Sequence, residues 1–377
     1  MRTVYLDYNA TTPLAPAVQE AMLPFLAEHY GNPSSTHTLG RACHEAVEDA
    51  RTRVAWMLGA APDEIVFTSG GTESNNLALK GLAFRRRPPS GHIIISAIEH
   101  PAISEPARFL ETCGLDVTVI GCDAEGVVRP DDVAAALRDD TILVSVMLAN
   151  NEIGSIQPIR RIADVCRARN VPVHTDAAQA IGKLPVNVDE LGVDLLSIAG
   201  HKMYAPKGIG ALYVRQGVAL EPVLHGAGHE GGLRAGTENV AQIVGLGQAA
   251  ALASEHAAQA AARMAAMRDR LSNHLRESMG DRVSFNGPLD ARLPNTLSVN
   301  LPEVTAGEVL RRIPELCAST GAACHSGSTQ LSATLAALGL SPSVARGTIR
   351  LSVGWYTSEE EIDWAAGALI AAWENLR

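Results

Sequence analysis

Short β-rich segments alternate with helical segments from about residue 45 to residue 215, and this alternation constrains the fold more than any other feature of the chain. The apolar residues of these segments follow one another without clean alternation, which is typical of strands buried on both faces of a sheet. Strands that alternate with helices favour a mostly parallel sheet in an α/β domain. Strands are predicted at residues 64–68, 92–96, 116–120, 142–148, 171–175, 195–198 and 209–214, and helices at 72–84, 131–137 and 159–170.

The pattern changes after residue 215. An Ala-rich helical stretch covers residues 240–279 and is compatible with one long helix or with two. Strands are then predicted at 282–285, 296–300 and 348–353, and helices at 307–313, 332–338 and 359–376. Such a mixture favours an α+β second domain. We therefore predict a large domain of residues 13–255 and a smaller α+β domain of residues 1–12 and 256–377.

The composition limits the classes of function. Hydrophobic residues make up 46% of the chain and charged residues 19%, so a large core can form and disorder is not expected. The net charge is −10 and the longest basic run is Arg85-Arg86-Arg87, which argues against a face that binds nucleic acid. No segment approaches the ~20 apolar residues of a membrane span, and the N-terminus lacks the apolar run of a signal peptide. We therefore expect a cytoplasmic protein with neither a nucleic-acid nor a membrane partner.

The six cysteines stand at positions 43, 113, 122, 166, 317 and 324. They form no CxxC motif and no zinc-ligand spacing with histidine, so no metal site is predicted. Most are expected to be small buried core residues in a reducing compartment. Cys324 differs because it lies among small residues at 321–328, where we expect a mobile loop.

Three segments place polar residues where strands end, which is where α/β sheets bind ligands. In the first segment, Gly70-Gly71-Thr72 separates a predicted strand from a predicted helix. The bare amides at that helix start, together with the Thr72 hydroxyl, suit a phosphate group. The alternative is an ordinary turn in which Thr72 caps the helix.

The other two segments carry a carboxylate and an amine. Asp176 ends a buried strand, where a carboxylate needs a partner such as the protonated nitrogen of a pyridine ring that serves as an electron sink. Lys202 follows the next strand in Gly200-His201-Lys202, where a partly desolvated amine suits a Schiff-base lysine. The alternatives are a turn-capping Asp and a surface Lys. Taken in order, the three segments fit a site for pyridoxal phosphate (PLP).

The chain resembles the class V aminotransferase-like PLP enzymes, and within them the cysteine desulfurases of the nitrogen-fixation and iron–sulfur type. The resemblance covers essentially the whole chain and rests on ordered blocks at residues 5–12, 31–35, 70–75, 99–101, 150–154, 200–202, 234–239, 321–324 and 349–352. It implies the PLP-dependent transferase fold of type I, a homodimer with shared active sites, and L-cysteine as substrate.

The resemblance also implies a role for individual residues. Lys202 would bind the cofactor covalently and later move protons, and Asp176 would pair with the pyridine nitrogen. His100 would stack on the ring and serve as acid or base; without the family it would be taken as a capping residue at a strand end. Further cofactor contacts are expected from Gly71, Thr72, Asn151, Gln179 and His201, with Thr237 reaching the phosphate in the partner subunit. The substrate would be bound by Asn151 and by Arg350, whose planar fork suits a carboxylate.

Cys324 is the predicted sulfur acceptor. By resemblance, its thiol takes the sulfur of L-cysteine as a persulfide, and L-alanine remains. The sulfur would then pass to an acceptor protein that serves iron–sulfur cluster assembly or the thiolation of cofactors and tRNA. From the residues alone, a buried core cysteine is the more common situation.

Departures from the family pattern keep alternatives open. The iron–sulfur desulfurases usually carry Ser three residues before the lysine, where this chain has Ala199. Ala199 and the residues at 147–152 and 323–326 are similar to selenocysteine lyases, so removal of selenium from L-selenocysteine is the alternative activity. Pro101 favours cysteine. A class V aminotransferase would leave the cysteine at 324 unexplained, and the complete set of site residues argues against a PLP-binding scaffold without turnover.

Overall fold

The computed structural model describes residues 3–321 and 331–377. Its strands are β1 (Val4–Tyr5), β2 (Ile65–Thr68), β3 (His92–Ser96), β4 (Asp116–Ile120), β5 (Thr141–Ser145), β6 (Val173–Asp176), β7 (Leu195–Ala199), β8 (Gly210–Val214), β9 (Ser284–Asn286), β10 (Thr296–Asn300), β11 (Leu316–Cys317), β12 (Ser319–Thr320) and β13 (Thr348–Ser352). Its helices are α1 (Pro16–Ala27), α2 (Thr38–Leu58), α3 (Gly71–Ala83), α4 (Pro101–Thr112), α5 (Pro130–Ala136), α6 (Ile159–Arg167), α7 (Val188–Leu191), α8 (Val240–Met279), α9 (Ala306–Arg311), α10 (Ala333–Ala337), α11 (Pro342–Arg346) and α12 (Glu359–Glu374).

Within the described residues, β2 to β8 form one sheet in the order β2-β8-β7-β6-β5-β3-β4. Only β8 runs antiparallel to its neighbours there, so the predicted mostly parallel α/β sheet is confirmed. Every residue of β2, β3, β5, β6, β7 and β8 is buried, because helices cover both faces of the sheet. The edge strand β4 instead keeps Val119 exposed.

The Ala-rich stretch is one helix, α8, with 40 residues, and the alternative of two helices is wrong. Its first part contributes residues up to Ala253 to the core beside the large sheet. Its last part contributes residues from Met264 onward to a second core. The helix therefore packs against both bodies of the fold, and the predicted domain boundary at residues 255 and 256 falls inside it. None of the described helices is both long and apolar enough to cross a membrane.

The second core lies against the antiparallel sheet β12-β13-β10-β9. Leu297 and Val299 of β10 and Leu351 of β13 face α8 and α12 in this core. Val4 and Leu6 belong to the same core, since β1 pairs in parallel with β11. The N-terminal stretch then continues through an isolated bridge between Asp7 and Ser352, and this path leads residues 9 and 10 to the end of the large sheet.

A buried ion pair fixes the loop that follows β8. Arg51 of α2 donates two hydrogen bonds to Glu230, of 2.8 and 2.9 Å, and a third, of 2.8 Å, to the carbonyl of Ile65. The Phe67 amide donates to the same Glu230 carboxylate at 2.7 Å. Glu230 has a φ of +49°, which is unfavourable for a residue other than glycine. The three bonds to Glu230 hold this strained turn, and with it the following segment that contains Thr237.

We predict that Glu230→Gln lowers the free energy of unfolding by about 2–4 kcal/mol, because it removes the buried counter-charge of Arg51 and leaves only the half-exposed Glu48 beside it. The matched control is Glu105→Gln, which removes one partner of the exposed pair between Arg108 and Glu105. We expect that control to change the free energy by less than about 1 kcal/mol. Urea unfolding followed by circular dichroism measures both values, and equal losses in the two variants would contradict the prediction.

Candidate active site

A cavity of about 500 Å³ lies at the carboxyl ends of β5, β6 and β7. The sheet, the start of α3 and the N-terminal stretch enclose it. The predicted site residues that line it are Gly71, Thr72, His100, Asn151, Asp176, Gln179, His201, Lys202 and Arg350. These side chains come from positions spread over most of the chain, and the fold brings them to one place, the sheet edge at which α/β proteins bind ligands.

One end of the cavity suits an anion. Helix α3 begins at Gly71, and the first N–H groups of a helix have no carbonyl partner within it. A Cβ at Gly71 would lie 3.2 Å from the Cβ of Ala199, so a larger residue at 71 would crowd this end. His201 Nδ1 lies 3.2 Å from Thr11 Oγ1, which leaves Nε2 to face a ligand. Burial first, and then the positive charge of Lys202, lower the pKa of His201 to about 4, so its imidazole is neutral.

Asp176 supplies the carboxylate at the end of β6. Its Oδ1 accepts a 2.9 Å bond from the Ala178 amide, and its Oδ2 accepts a 2.7 Å bond from Asn75 Nδ2. Both donors fix the carboxylate in place, and neither is charged. Asn75 is fully buried, and its Oδ1 has no hydrogen-bond partner among the described residues. The arrangement therefore leaves room for a ligand that brings its own N–H group, such as a protonated ring nitrogen.

Lys202 lies in the short turn that follows β7. Its Nζ donates to the carbonyl of Asn9 at 2.5 Å and to the carbonyl of Ala10 at 2.8 Å. Burial first, and then the charge of Arg350, lower the pKa of this amine to about 8, although the two acidic residues nearby, Asp7 and Asp176, act in the opposite direction. An amine with such a pKa has a far larger unprotonated fraction at neutral pH than an ordinary lysine, and the unprotonated form can attack an aldehyde carbon.

His100 is both a helix-capping residue and a residue of the cavity. It is the N-cap of α4, where its Nδ1 accepts a 3.1 Å bond from the Ala102 amide, and it also lines the cavity. The accepted bond assigns the hydrogen of the neutral imidazole to Nε2. Burial, the larger effect, lowers the pKa of His100, while Asp176 raises it. The ring therefore offers an N–H group on the nitrogen that the helix does not use.

Arg350 extends from β13 of the antiparallel sheet into the same cavity. Its Nη2 donates to Asp7 at 2.7 Å and to Ser319 at 2.9 Å, and its Nη1 donates to the carbonyl of Asn151 at 3.2 Å. Its Nε is buried without a hydrogen-bond partner among the described residues. A guanidinium held in this way keeps its charge and has donor capacity left for a carboxylate.

Two buried carboxamides that no motif pointed to organise the site. Asn9 accepts the Lys202 amine on its carbonyl, and Asn75 holds Asp176. No spacing rule finds either residue, since 193 residues separate Asn9 from Lys202 and 101 separate Asn75 from Asp176. Their only signal in the sequence was that Asn9 lies in the block at 5–12 and Asn75 in the block at 70–75. No individual role was predicted for either asparagine.

Among the predicted site residues that the structure describes, Thr237 does not line this cavity. Thr237 lines a separate cavity of about 240 Å³, together with Thr68, Ser69 and Arg234. Cys324 lies outside the described residues.

The other cysteines depart in part from the expectation of burial. Cys43 and Cys166 are buried, as expected. Cys113, Cys122 and Cys317 are only half-buried, so for them that expectation is wrong. Cys113 follows α4, Cys122 follows the edge strand β4 and Cys317 ends the short strand β11, so each stands at an element end that its neighbours cover incompletely.

The residues present fit PLP. The start of α3 with Thr72 and His201 suits a phosphate, Asp176 suits a protonated pyridine nitrogen, and Lys202 suits the aldehyde. Asn75 Oδ1 has no hydrogen-bond partner among the described residues, and a side chain at position 71 would take up space at the start of α3. Both features are typical of a cavity that holds a bound molecule.

Comparisons with known proteins agree with this site. A family model described as aminotransferase class-V matches residues 4–364. The chain is 47% identical to "Cysteine desulfurase IscS" of Dictyoglomus turgidum, over 100% of this chain and 96% of the relative. Among solved structures, a NifS-like protein superposes with a TM-score of 0.92 at 38% identity, covering 98% of each chain. The structure titled "SspA in complex with cysteine" superposes with a TM-score of 0.81 at 40% identity, covering 94% of this chain and 100% of the other.

The match to the family model covers nearly the whole chain, and the relatives align over almost their full length. The chain therefore belongs to the class-V aminotransferase family of PLP-dependent enzymes.

Proposed function

We propose that the chain is a cysteine desulfurase, which takes the sulfur of L-cysteine onto Cys324, leaves L-alanine and passes the sulfur to an acceptor protein. The observation that carries the proposal is the convergence of the Lys202 amine, the Asp176 carboxylate and the Arg350 guanidinium on one cavity. The curated relative is named for the same activity, and one solved relative is SspA in complex with cysteine. An amino-acid substrate needs both an amine-exchanging site and a carboxylate site, and this cavity offers the two together.

Bound PLP supplies an electron sink that stabilises negative charge at the substrate's α-carbon. Arg350 orients the substrate by its carboxylate, and Asp7 on the far side of the guanidinium keeps that guanidinium fixed. Lys202, once the substrate's amino group has displaced it, is a free amine that can accept the α-proton. His100 offers an N–H group on Nε2 for proton return. Asp176 maintains a negative charge where the ring nitrogen must keep its proton.

Sulfur transfer is assigned to Cys324. The Cys324 thiolate attacks the substrate sulfur, so that an S–S bond forms and the C–S bond breaks. The electron pair of the C–S bond remains on the substrate carbon, which is then protonated to give alanine. The chain on both sides of residues 322–330 contacts the site. Ser319 bonds Arg350 and Asp7, and the Ser332 hydroxyl donates a 2.6 Å bond to Glu152, the neighbour of Asn151. These contacts support a route from Cys324 to the cavity.

A homodimer is the second part of the proposal. Thr237 does not line the cofactor cavity of its own chain but lies in an exposed segment held by Glu230. We propose that it reaches the phosphate in the second subunit, so that each site is built from two chains. The acceptor is a protein of the iron–sulfur or thiolation type.

We predict that Cys324→Ala abolishes sulfide and alanine formation from L-cysteine but leaves the visible absorption of the bound cofactor intact, because the thiol acts only after the substrate has bound. Cys317→Ala is the matched control, since it removes the half-buried cysteine seven residues earlier, and it should retain the wild-type rate. Wild-type turnover in the Cys324 variant would contradict the proposal. A rate with L-selenocysteine that far exceeds the rate with L-cysteine in the wild type would instead favour selenocysteine lyase.

We predict that the rate of cofactor attachment to the cofactor-free protein rises with pH, reaches half of its maximum near pH 8 and levels off above about pH 9. Only the unprotonated amine reacts, and burial lowers the pKa of Lys202 to about 8. The reactive fraction should therefore be about a tenth at pH 7 and about nine tenths at pH 9. Stopped-flow absorbance measures the rate. A curve that still rises steeply at pH 10 would indicate an ordinary lysine and would contradict the site electrostatics.

Mixed dimers test the shared site. Lys202→Ala and Thr237→Ala each impair both sites of their own homodimer. A mixed dimer holds one site with the intact Lys202 of one subunit and the intact Thr237 of the other, so it should recover up to half of the wild-type activity per dimer. If Thr237 acts within its own chain, mixing restores nothing. Differently tagged subunits, purified over two affinity columns, allow the measurement.

A further inference from the structure

A second lysine is buried beside the site and has no role in the mechanism above. Lys183 is 4% exposed. Its Nζ donates to Gln179 Oε1 at 2.6 Å and to Asn9 Oδ1 at 3.0 Å. Both acceptors are carboxamide oxygens, and both of those side chains are themselves buried. Lys183 thus contacts Asn9, whose carbonyl accepts from the Lys202 amine, and Gln179, which lines the cavity, without lining the cavity itself.

The surroundings of Lys183 favour an uncharged amine. The charged groups that act on it are Lys202 and Arg350, both cationic, and no carboxylate among the described residues forms an ion pair with it. Burial first, and then these two cations, lower the pKa of Lys183 well below its usual value. An uncharged amine has two N–H groups, which equals the number of acceptors present, whereas an ammonium group would bury a third donor.

The two bonds from Lys183 determine how both carboxamides are oriented. Because Gln179 Oε1 accepts from Lys183, Gln179 Nε2 points to the Asn9 carbonyl, to which it donates at 2.9 Å. Asn9 Oδ1 accepts from Lys183 and from Asn295, so Asn9 Nδ2 is left to donate to the Asn151 carbonyl and to Thr296. The carbonyl of Asn9 is also the acceptor for Lys202.

We propose that Lys183 is a positioning residue for the reaction: its side-chain amine orients Gln179 and Asn9 and thereby fixes the carbonyl oxygen against which the Lys202 amine rests. Without the two donors, Gln179 Oε1 would be buried unsatisfied and Asn9 Oδ1 would keep only its bond from Asn295, so both carboxamides would be free to shift. The proposal rests on the proposed function only in that Lys202 is the lysine that binds the cofactor.

The chain contains four lysines, Lys80, Lys183, Lys202 and Lys207, so carbon-13 labelling at the lysine ε-carbon gives a short, assignable set of NMR signals. In the full-length wild type, with or without PLP, the Lys183 signal should have the shift of an uncharged amine at pH 8. A signal typical of an ammonium group there would overturn the proposal, and this measurement requires no variant to fold.

The variant test is Lys183→Met, which keeps the length and apolar character of the side chain but removes both donors. The Lys202 midpoint in the cofactor-free protein should fall by about half a pH unit or more, because a displaced Asn9 carbonyl stabilises the ammonium form less well. The kcat with L-cysteine should fall about tenfold with little change in KM, since a misplaced amine slows proton transfer more than binding. Lys80→Met is the control, because Lys80 lies over the Phe109 ring and should change neither value.

The outcomes are separable. An unchanged Lys202 midpoint and kcat in Lys183→Met would show that Lys183 only fills space and would overturn the proposal. A raised midpoint would show that Lys183 is a charged neighbour whose removal relieves repulsion, and it would overturn the proposal as well. The NMR titration uses no substrate. A wild type that binds PLP but releases no alanine from cysteine would therefore refute the desulfurase activity and leave the result on Lys183 standing.

Discussion

The contact between the Lys202 amine and the carbonyl of Asn9 is the interaction on which the arrangement of the site depends. Lys202 follows strand β7 of the large sheet, whereas Asn9 belongs to the N-terminal stretch. That stretch is tied to the antiparallel sheet, since the Asn9 amide donates to the Ser352 hydroxyl and Asn295 donates to Asn9 Oδ1. The Lys202 amine therefore lies where the large sheet and the part of the fold with the antiparallel sheet meet. Its position depends on how these two parts pack together.

The charges around this contact match the ligand that the site would take. Lys202 and Arg350 supply positive charge to the cavity. Asp176 supplies a carboxylate, which is held by two neutral donors. Burial lowers the pKa of both histidines, His100 and His201, so they add hydrogen-bonding capacity without adding charge. A ligand that carries a phosphate, a carboxylate and a cationic ring nitrogen would balance these groups. The low pKa of Lys202 follows first from burial and then from the charge of Arg350.

Much of the fold follows from local pattern. The strands of the large sheet could be predicted because they are apolar on both faces, and α8 because its Ala-rich sequence has no internal breaker. Helices α1, α2 and α4 were not predicted. Of these, α1 and α4 each contain an internal proline, Pro24 or Pro106, whose cost is outweighed by tertiary packing. In the site, residues at strand ends could be found from sequence. Asn9, Asn75 and Lys183 could not, because their roles come from contacts between distant parts of the chain.

Ala199 is a departure from the family pattern that leaves the phosphate end of the cavity with fewer donors within one chain. Its methyl group faces Gly71 at the start of α3, so no side-chain hydroxyl from position 199 can bond a phosphate. Within one chain, the Thr72 hydroxyl, the first amides of α3 and His201 Nε2 remain for that task. A phosphate dianion would leave part of its acceptor capacity unfilled there. If Thr237 of a second subunit supplies the next hydroxyl, cofactor retention in this chain depends more strongly on dimerisation than in relatives with Ser at this position. We therefore expect the cofactor to be lost as the dimer dissociates.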